Sequence, residues 1–141
     1  MDVKILETDF SPRMIELAKS NVPNAEFRVL NAKEVLSLGE IFDGIVCGFI
    51  APYLNQAELS KLIADCEKLL SDNGKLYLSA IEGDYENSGW QSSSDGQSST
   101  MVYLYSEPEL RAMLYQNGFR KIEVYKKAFG SATHLILAAA F

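Results

Sequence analysis

Three features of the sequence predict an α/β architecture with a mostly parallel sheet and an antiparallel hairpin at its end. Strand-like and helix-like segments alternate along the chain. Ile45-Val46-Cys47-Gly48-Phe49-Ile50 is continuously apolar, as expected of a parallel strand covered on both faces by helices. The last two strand-like runs are joined by only a short Gly130-Ser131 turn, and so tight a connection makes neighbouring strands antiparallel.

The elements follow in order. Val3-Lys4-Ile5-Leu6 reads as a short strand, and Ser11-Pro12 supplies an N-cap with proline at the first helical position. The spacing predicts a helix from about Pro12 to Ser20 with Met14, Ile15 and Ala18 on one face, a break at Asn21 to Asn24, and a strand over Glu26 to Leu30. Asn55 and Glu58 form a capping box ahead of Leu59, Leu62, Ile63, Cys66, Leu69 and Leu70 at helical spacing. Asn73-Gly74 is read as the end of that helix and Lys75 to Ile81 as the next strand. Glu82 to Thr100 is polar and rich in Ser and Gly, which predicts a long loop without secondary structure, of the functional or disordered kind. Ser106 and Glu109 suggest a second capping box, and a helix carrying Leu110, Met113 and Leu114 ends at Asn117-Gly118. Strands over Lys121 to Ala128 and His134 to Phe141 close the chain. No internal repeat and no compositional boundary divides it, so residues 1–141 are expected to form one domain.

Composition narrows the function. The 141 residues carry 13 basic and 19 acidic side chains, a net charge of −6. A chain of this size buries roughly 68–70% of its unfolded surface, so it needs no disulfide or metal staple. The acidic balance repels phosphate backbones and anionic lipid, which argues against a nucleic-acid or membrane partner. Cys47 and Cys66 lie 19 residues apart with no CxxC pair, as reduced thiols of a cytoplasmic protein do. The first residues lack a signal-peptide pattern, and the apolar run Leu135 to Phe141 is far short of the ~20 residues a membrane helix needs.

Asp9 ends the first strand just before a capped helix. In open α/β sheets ligands bind beyond the carboxyl ends of strands, where a carboxylate can accept both hydroxyl hydrogens of a ribose. Equally, Asp9 or Glu7 is a loop carboxylate favoured by the helix dipole. His134 stands alone, with no second histidine or cysteine at ligand spacing, which argues against a metal site. No G-x-S-x-G elbow supports a hydrolase. Glu82 and Asp84, just past the strand ending at Ile81, are a base or solvated loop charges. Tyr85 and Trp90 in the polar segment stack on a substrate or tack the loop down.

Thr8-Asp9-Phe10-Ser11-Pro12-Arg13-Met14-Ile15-Glu16-Leu17-Ala18 closely resembles the segment after the second strand of class I S-adenosylmethionine-dependent methyltransferases. Val22 to Phe27 is similar to that family's link into strand three. Phe42-Asp43-Gly44-Ile45-Val46 resembles its entry into strand four, and Leu69-Leu70-Ser71-Asp72-Asn73-Gly74-Lys75-Leu76 its entry into strand five. Glu109-Leu110, Leu114 and Asn117-Gly118-Phe119 resemble its late helix. The phrases occur in the family's order over essentially the whole chain.

The resemblance implies a Rossmann-like sheet, S-adenosylmethionine as cofactor, and a small-molecule acceptor attacking the cofactor methyl by in-line displacement without a fixed catalytic residue. It implies that Asp9 holds the ribose hydroxyls and that Phe10 lies against the adenine. Asn31-Ala32 stands where the family has Asp-Ala for the adenine amino group, an uncharged acceptor in place of a charged one; a turn Asn capping the next short helix is the equal alternative. Gly48 to Tyr53 borders the methionine moiety and the substrate, and Tyr53, Tyr85 and Trp90 are candidates for a mobile substrate lid. The departure is at the front. Only eight residues precede Asp9, and no G-x-G occurs, so the family's first and central strand and its glycine loop are missing. The expectation is a domain N-terminally truncated relative to the family, binding cofactor weakly alone and leaving two strand edges bare. A homo-oligomer or partner chain then completes the sheet, or strands two and four pair directly. A noncatalytic methyltransferase-like binding or scaffolding subunit is the alternative function, and a nicotinamide-dependent dehydrogenase a weaker third.

Overall fold

The computed structural model describes residues 3–141, which fall into two compact units divided after Gly39. In the first, β1 (Leu6–Asp9) and β2 (Glu26–Val29) pair in parallel, from Leu6 opposite Glu26 to Asp9 opposite Val29. Helix α1 (Pro12–Asn21) connects them and packs on both. It starts where the sequence places it: the Ser11 hydroxyl accepts from the Met14 N–H at 3.3 Å, and Pro12 occupies the first turn. Such a cap stabilises a helix by about 1 kcal/mol. Of its predicted apolar face Ile15 is buried, whereas Met14 stands 51% exposed. The first strand lies later than Val3 to Leu6, because the ladder with β2, and not the apolar run, sets its bounds: the Glu26 N–H donates to the Ile5 carbonyl and the Leu30 N–H to the Asp9 carbonyl. A 3₁₀ segment (Ala32–Leu38) follows and stops at Gly39, whose φ of 63° favours glycine.

The second unit holds β3 (Phe42–Cys47), α2 (Gln56–Leu69), β4 (Leu70–Ile81), β5 (Gly89–Ser92), β6 (Ser99–Val102), α3 (Glu107–Gln116), β7 (Lys121–Phe129) and β8 (Ala132–Ala140). Its main sheet has the order β3-β4-β8-β7. β3 runs parallel to β4, but β8 is antiparallel to both β4 and β7. The sheets are therefore mixed and not mostly parallel. The predicted hairpin causes this: after the Gly130-Ser131 turn, β8 runs back between β4 and β7 and contributes two antiparallel ladders.

Alternation gives the main sheet two unlike faces. Leu76, Leu78 and Ala80 of β4 and Leu135, Leu137 and Ala139 of β8 are buried. Helix α2 packs on β4 and against α3, burying Leu59, Leu62, Ile63 and Cys66, each large aliphatic contributing roughly 1.5–3 kcal/mol. Its start has both reciprocal bonds of the capping box between Asn55 and Glu58, at 2.9 and 3.0 Å. On the opposite face Val46, Tyr77, Tyr125 and Ile136 are exposed. The expectation that the apolar run of β3 is covered on both faces is thus not met: Val46 is 75% exposed. Among the described residues β1 has β2 as its single strand partner, and β3 has β4.

Three local expectations are corrected. Helix α2 ends at Leu69 and not at Asn73-Gly74. Ser71 to Gly74 instead form a register shift in the β3–β4 ladder, and a Cβ at Gly74 would come within 2.9 Å of the Ser71 carbonyl oxygen. Only half of the second capping box forms: the Ser106 hydroxyl accepts from the Glu109 N–H at 3.3 Å, while the Glu109 carboxylate accepts from the Gln56 side-chain amide. The Glu82 to Thr100 segment is not structureless. β5 and β6 form an antiparallel hairpin within it, closed by Asp95-Gly96, where the Asp95 carboxylate accepts from the Gln97 N–H at 3.0 Å and Gly96 has a φ of 70°.

Candidate functional site

Asp9 closes β1 and is half-buried. Its Oδ1 accepts from the Ser11 N–H at 2.9 Å, which fixes the carboxylate at the carboxyl end of a parallel strand. The same Ser11 starts α1, so one tight strand-to-helix turn sets both the cap and the carboxylate. Oδ2 has no hydrogen-bond partner among the described residues, and a carboxylate in this state accepts two neighbouring hydroxyl hydrogens. Phe10 beside it is 74% exposed. At the end of β2, the Asn31 side-chain oxygen accepts from the Lys33 N–H at 2.9 Å and caps the 3₁₀ segment, with Ala32 half-buried as its first residue. One lone pair on that oxygen and both amide hydrogens remain for a ligand.

In the second unit, Gly48 follows β3 and is exposed, and a Cβ there would meet no protein atom within 4 Å. Next to it the Phe49 N–H donates to the buried Ser79 hydroxyl at 2.8 Å. Tyr53, at the end of a 3₁₀ turn (Ala51–Tyr53), is exposed. Tyr85 stacks on Tyr103 at 5.9 Å and tilts against buried Tyr105 at 5.6 Å. Tyr105 donates its hydroxyl to the Leu54 carbonyl, and burial pushes its pKa up. The Tyr103 N–H donates to the Pro52 carbonyl at 2.8 Å and the Leu104 N–H to the Ser88 hydroxyl at 2.9 Å. Tyr85 therefore anchors the base of the hairpin, whereas Trp90 on β5 stands 72% exposed.

Glu82 pairs with Lys126 at 2.8 Å, so it is engaged as an ion-pair partner. Cys47 and Cys66 are free thiols; the neighbouring Cys47 sulfur, and then burial, push Cys66 up. Among the described residues no group of three or more potential metal ligands occurs, and no helix is long and apolar enough to cross a membrane.

A parallel strand ending in a fixed carboxylate, followed at once by a capped helix, together with the mixed sheet and terminal hairpin, defines an α/β protein of the Rossmann-like class. Residues 1–74 match the model of the methyltransferase domain, and the chain belongs to that family, the class I S-adenosylmethionine-dependent methyltransferases. Among solved structures it is similar to an S-adenosylmethionine-dependent methyltransferase from Methanosarcina mazei, at 19% identity over 98% of this chain and 82% of that one, TM-score 0.77. It is also similar to the 1,6-didemethyltoxoflavin-N1-methyltransferase of Burkholderia thailandensis, which holds 1,6-didemethyltoxoflavin and S-adenosylhomocysteine, at 19% identity, 96% and 60% coverage and TM-score 0.73. The magnesium protoporphyrin IX methyltransferase of Synechocystis, with bound S-adenosylmethionine, gives 16% identity, 99% and 60% coverage and TM-score 0.72. No curated protein matches the chain.

Sequence reasoning included Phe49 only as part of the stretch Gly48 to Tyr53, and it missed Phe129 and the setting of His134. The imidazole of His134 lies 4.8 Å from the Phe49 ring, edge to face, and 5.2 Å from the Phe129 ring, stacked. The short hairpin turn held a signal for half of this group: a two-residue connection after Phe129 fixes the register that sets His134 diagonally across from it.

Proposed function

We propose that the chain transfers the methyl group of S-adenosylmethionine to a small molecule. The observation that carries this reading is Asp9, held by the Ser11 N–H at the carboxyl end of β1 with its second oxygen uncommitted. The donor set suits the cofactor: Asp9 accepts the ribose hydroxyls, Phe10 offers an exposed ring to the adenine, and Asn31 and Ala32 take its polar edge. Gly48 leaves its backbone open to close approach, and exposed Tyr53 and Trp90 are candidates to border the acceptor. When bound, the cofactor supplies an electrophilic methyl group on a sulfonium sulfur. The chain's own task is to hold the acceptor heteroatom in line and to exclude water, which well-oriented sites do without covalent participation. The acidic chain and the small-molecule acceptors named for two of its structural neighbours favour a small acceptor over a nucleic acid. A noncatalytic binding subunit is the second reading, favoured by the single-partner edges of β1 and β3.

Ultraviolet cross-linking of methyl-tritiated S-adenosylmethionine tests the assignment and detects weak binding. Labelling of the chain is expected to be competed by S-adenosylhomocysteine and lost in Asp9→Ala. Equal labelling of Asp9→Ala would remove Asp9 from the site.

A further inference from the structure

At the carboxyl ends of β3 and β4, three rings from distant parts of the second unit converge. Phe49 lies two residues past β3. His134, the third residue of β8, lies opposite Ile81, the last residue of β4, and Phe129 ends β7. The His134 imidazole lies between the other two, 67° to the Phe49 ring and 17° to that of Phe129. Its ring nitrogens make no hydrogen bond among the described residues, and Phe49 and Phe129 remain 48% and 68% exposed. Phe49 also has a φ of 54°, the only positive φ of a non-glycine residue among those described. That left-handed conformation is unfavourable for an L residue, and the bond from its N–H to buried Ser79 holds it there. Strain of this kind is retained where the surroundings fix a side chain for a task. A stack serving only the core would bury its rings; this one leaves two phenyl groups in solvent at the end of the sheet where ligands of open α/β folds bind.

We infer that Phe49, His134 and Phe129 form the acceptor shelf, that the acceptor is a planar aromatic molecule with an ionisable hydroxyl or ring N–H, and that His134 takes its proton. This rests on the methyl-transfer reading and names its substrate class. Offset or edge-to-face contact with the phenyl rings orients a flat acceptor, and the nearby Glu82 is committed to Lys126. As the acceptor heteroatom forms its bond to the methyl carbon, the methyl–sulfur bond breaks with its electron pair left on sulfur. The proton of the acceptor X–H passes to a His134 nitrogen and then to water, so charge and atoms balance.

The test uses the full chain and the probes 2-naphthol, decahydro-2-naphthol and 2-methoxynaphthalene, followed by amide resonances of residues 49, 129 and 134. Saturable shifts are expected with 2-naphthol and absent with decahydro-2-naphthol, which keeps the hydroxyl and loses the flat ring. 2-Naphthol should bind about three- to tenfold tighter than 2-methoxynaphthalene, the worth of one hydrogen bond, and His134→Phe, which keeps a ring, should abolish that difference. Equal shifts with both alcohols, no shifts with either, or a difference that survives His134→Phe would each overturn the inference. Because these probes need no cofactor, shelf binding without cross-linking would sink the cofactor reading alone, and cross-linking without shelf binding would sink the shelf alone.

Discussion

Phe119, Leu59, Leu110, Leu135 and Leu137 of the second unit are fully buried, whereas in the first unit Ile15 is the one buried apolar side chain among the described residues. Phe10, Met14, Leu17 and Val29 of the first unit are each more than half exposed. Yet the first unit carries Asp9 and Asn31, the residues assigned to the nucleoside. On the proposed assignment, recognition of the cofactor rests on two short strands and one helix with little core, and the aromatic shelf on a well-packed four-stranded sheet. The difference separates two demands: the carboxylate needs only a tight turn and a cap to be aimed, while three rings drawn from three strand ends need a fixed register.

Core substitutions should break this contrast most visibly. Phe119→Ala removes a fully buried ring that stacks on Phe141 at 4.8 Å and should cost about 3–5 kcal/mol, read as a lower denaturation midpoint of the whole second unit. Ile15→Ala should cost about 2–4 kcal/mol and act locally. Native-state hydrogen exchange would show it: amides of β1 and β2 lose protection, those of β4 and β8 keep it. Loss of protection throughout the main sheet in Ile15→Ala would mean that the two units unfold as one.

Smaller changes sharpen the same comparison. Asn55→Ala removes the capping box of α2 and should lower stability by about 1 kcal/mol. The smallest effect concerns Lys126, whose pairing with Glu82, and more weakly with Glu107, raises its pKa above the ordinary 10.5. A raised basic pKa contributes stability that is fully present below the ordinary value and lost as pH rises through the folded one. Lys126→Met should therefore destabilise slightly at neutral pH, with a difference that disappears in strong alkali. An unchanged difference there would assign it to lost packing.

What could be read from the sequence was local. Ser11-Pro12, Asn55 with Glu58, and Asn117-Gly118 mark helix ends within a few residues of chain, and each helix starts or stops where they stand. The β5–β6 hairpin escaped because Ser, Gly and Gln dominate it, although Asp95-Gly96 is a strong short-range turn signal. The exposure of Val46 was not legible, since an apolar run records only that a strand suits a covered position. The shelf was hidden for a different reason. Phe49 and His134 are far apart in the chain and meet only through the β4–β8 register, and a left-handed phenylalanine has no sequence signature. Asp9 was legible as a strand-end carboxylate, and its Ser11 bond follows from the same Ser-Pro helix start.

Cofactor recognition by the first unit is tested most directly by mapping amide shifts of the full chain during titration with S-adenosylhomocysteine. Shifts should concentrate at Asp9, Phe10, Ser11, Asn31 and Ala32, with a further set at Gly48, and Asp9→Ala should abolish them while the β4 and β8 resonances show the main sheet intact. Shifts confined to the second unit, or a pattern unchanged by Asp9→Ala, would contradict the assignment.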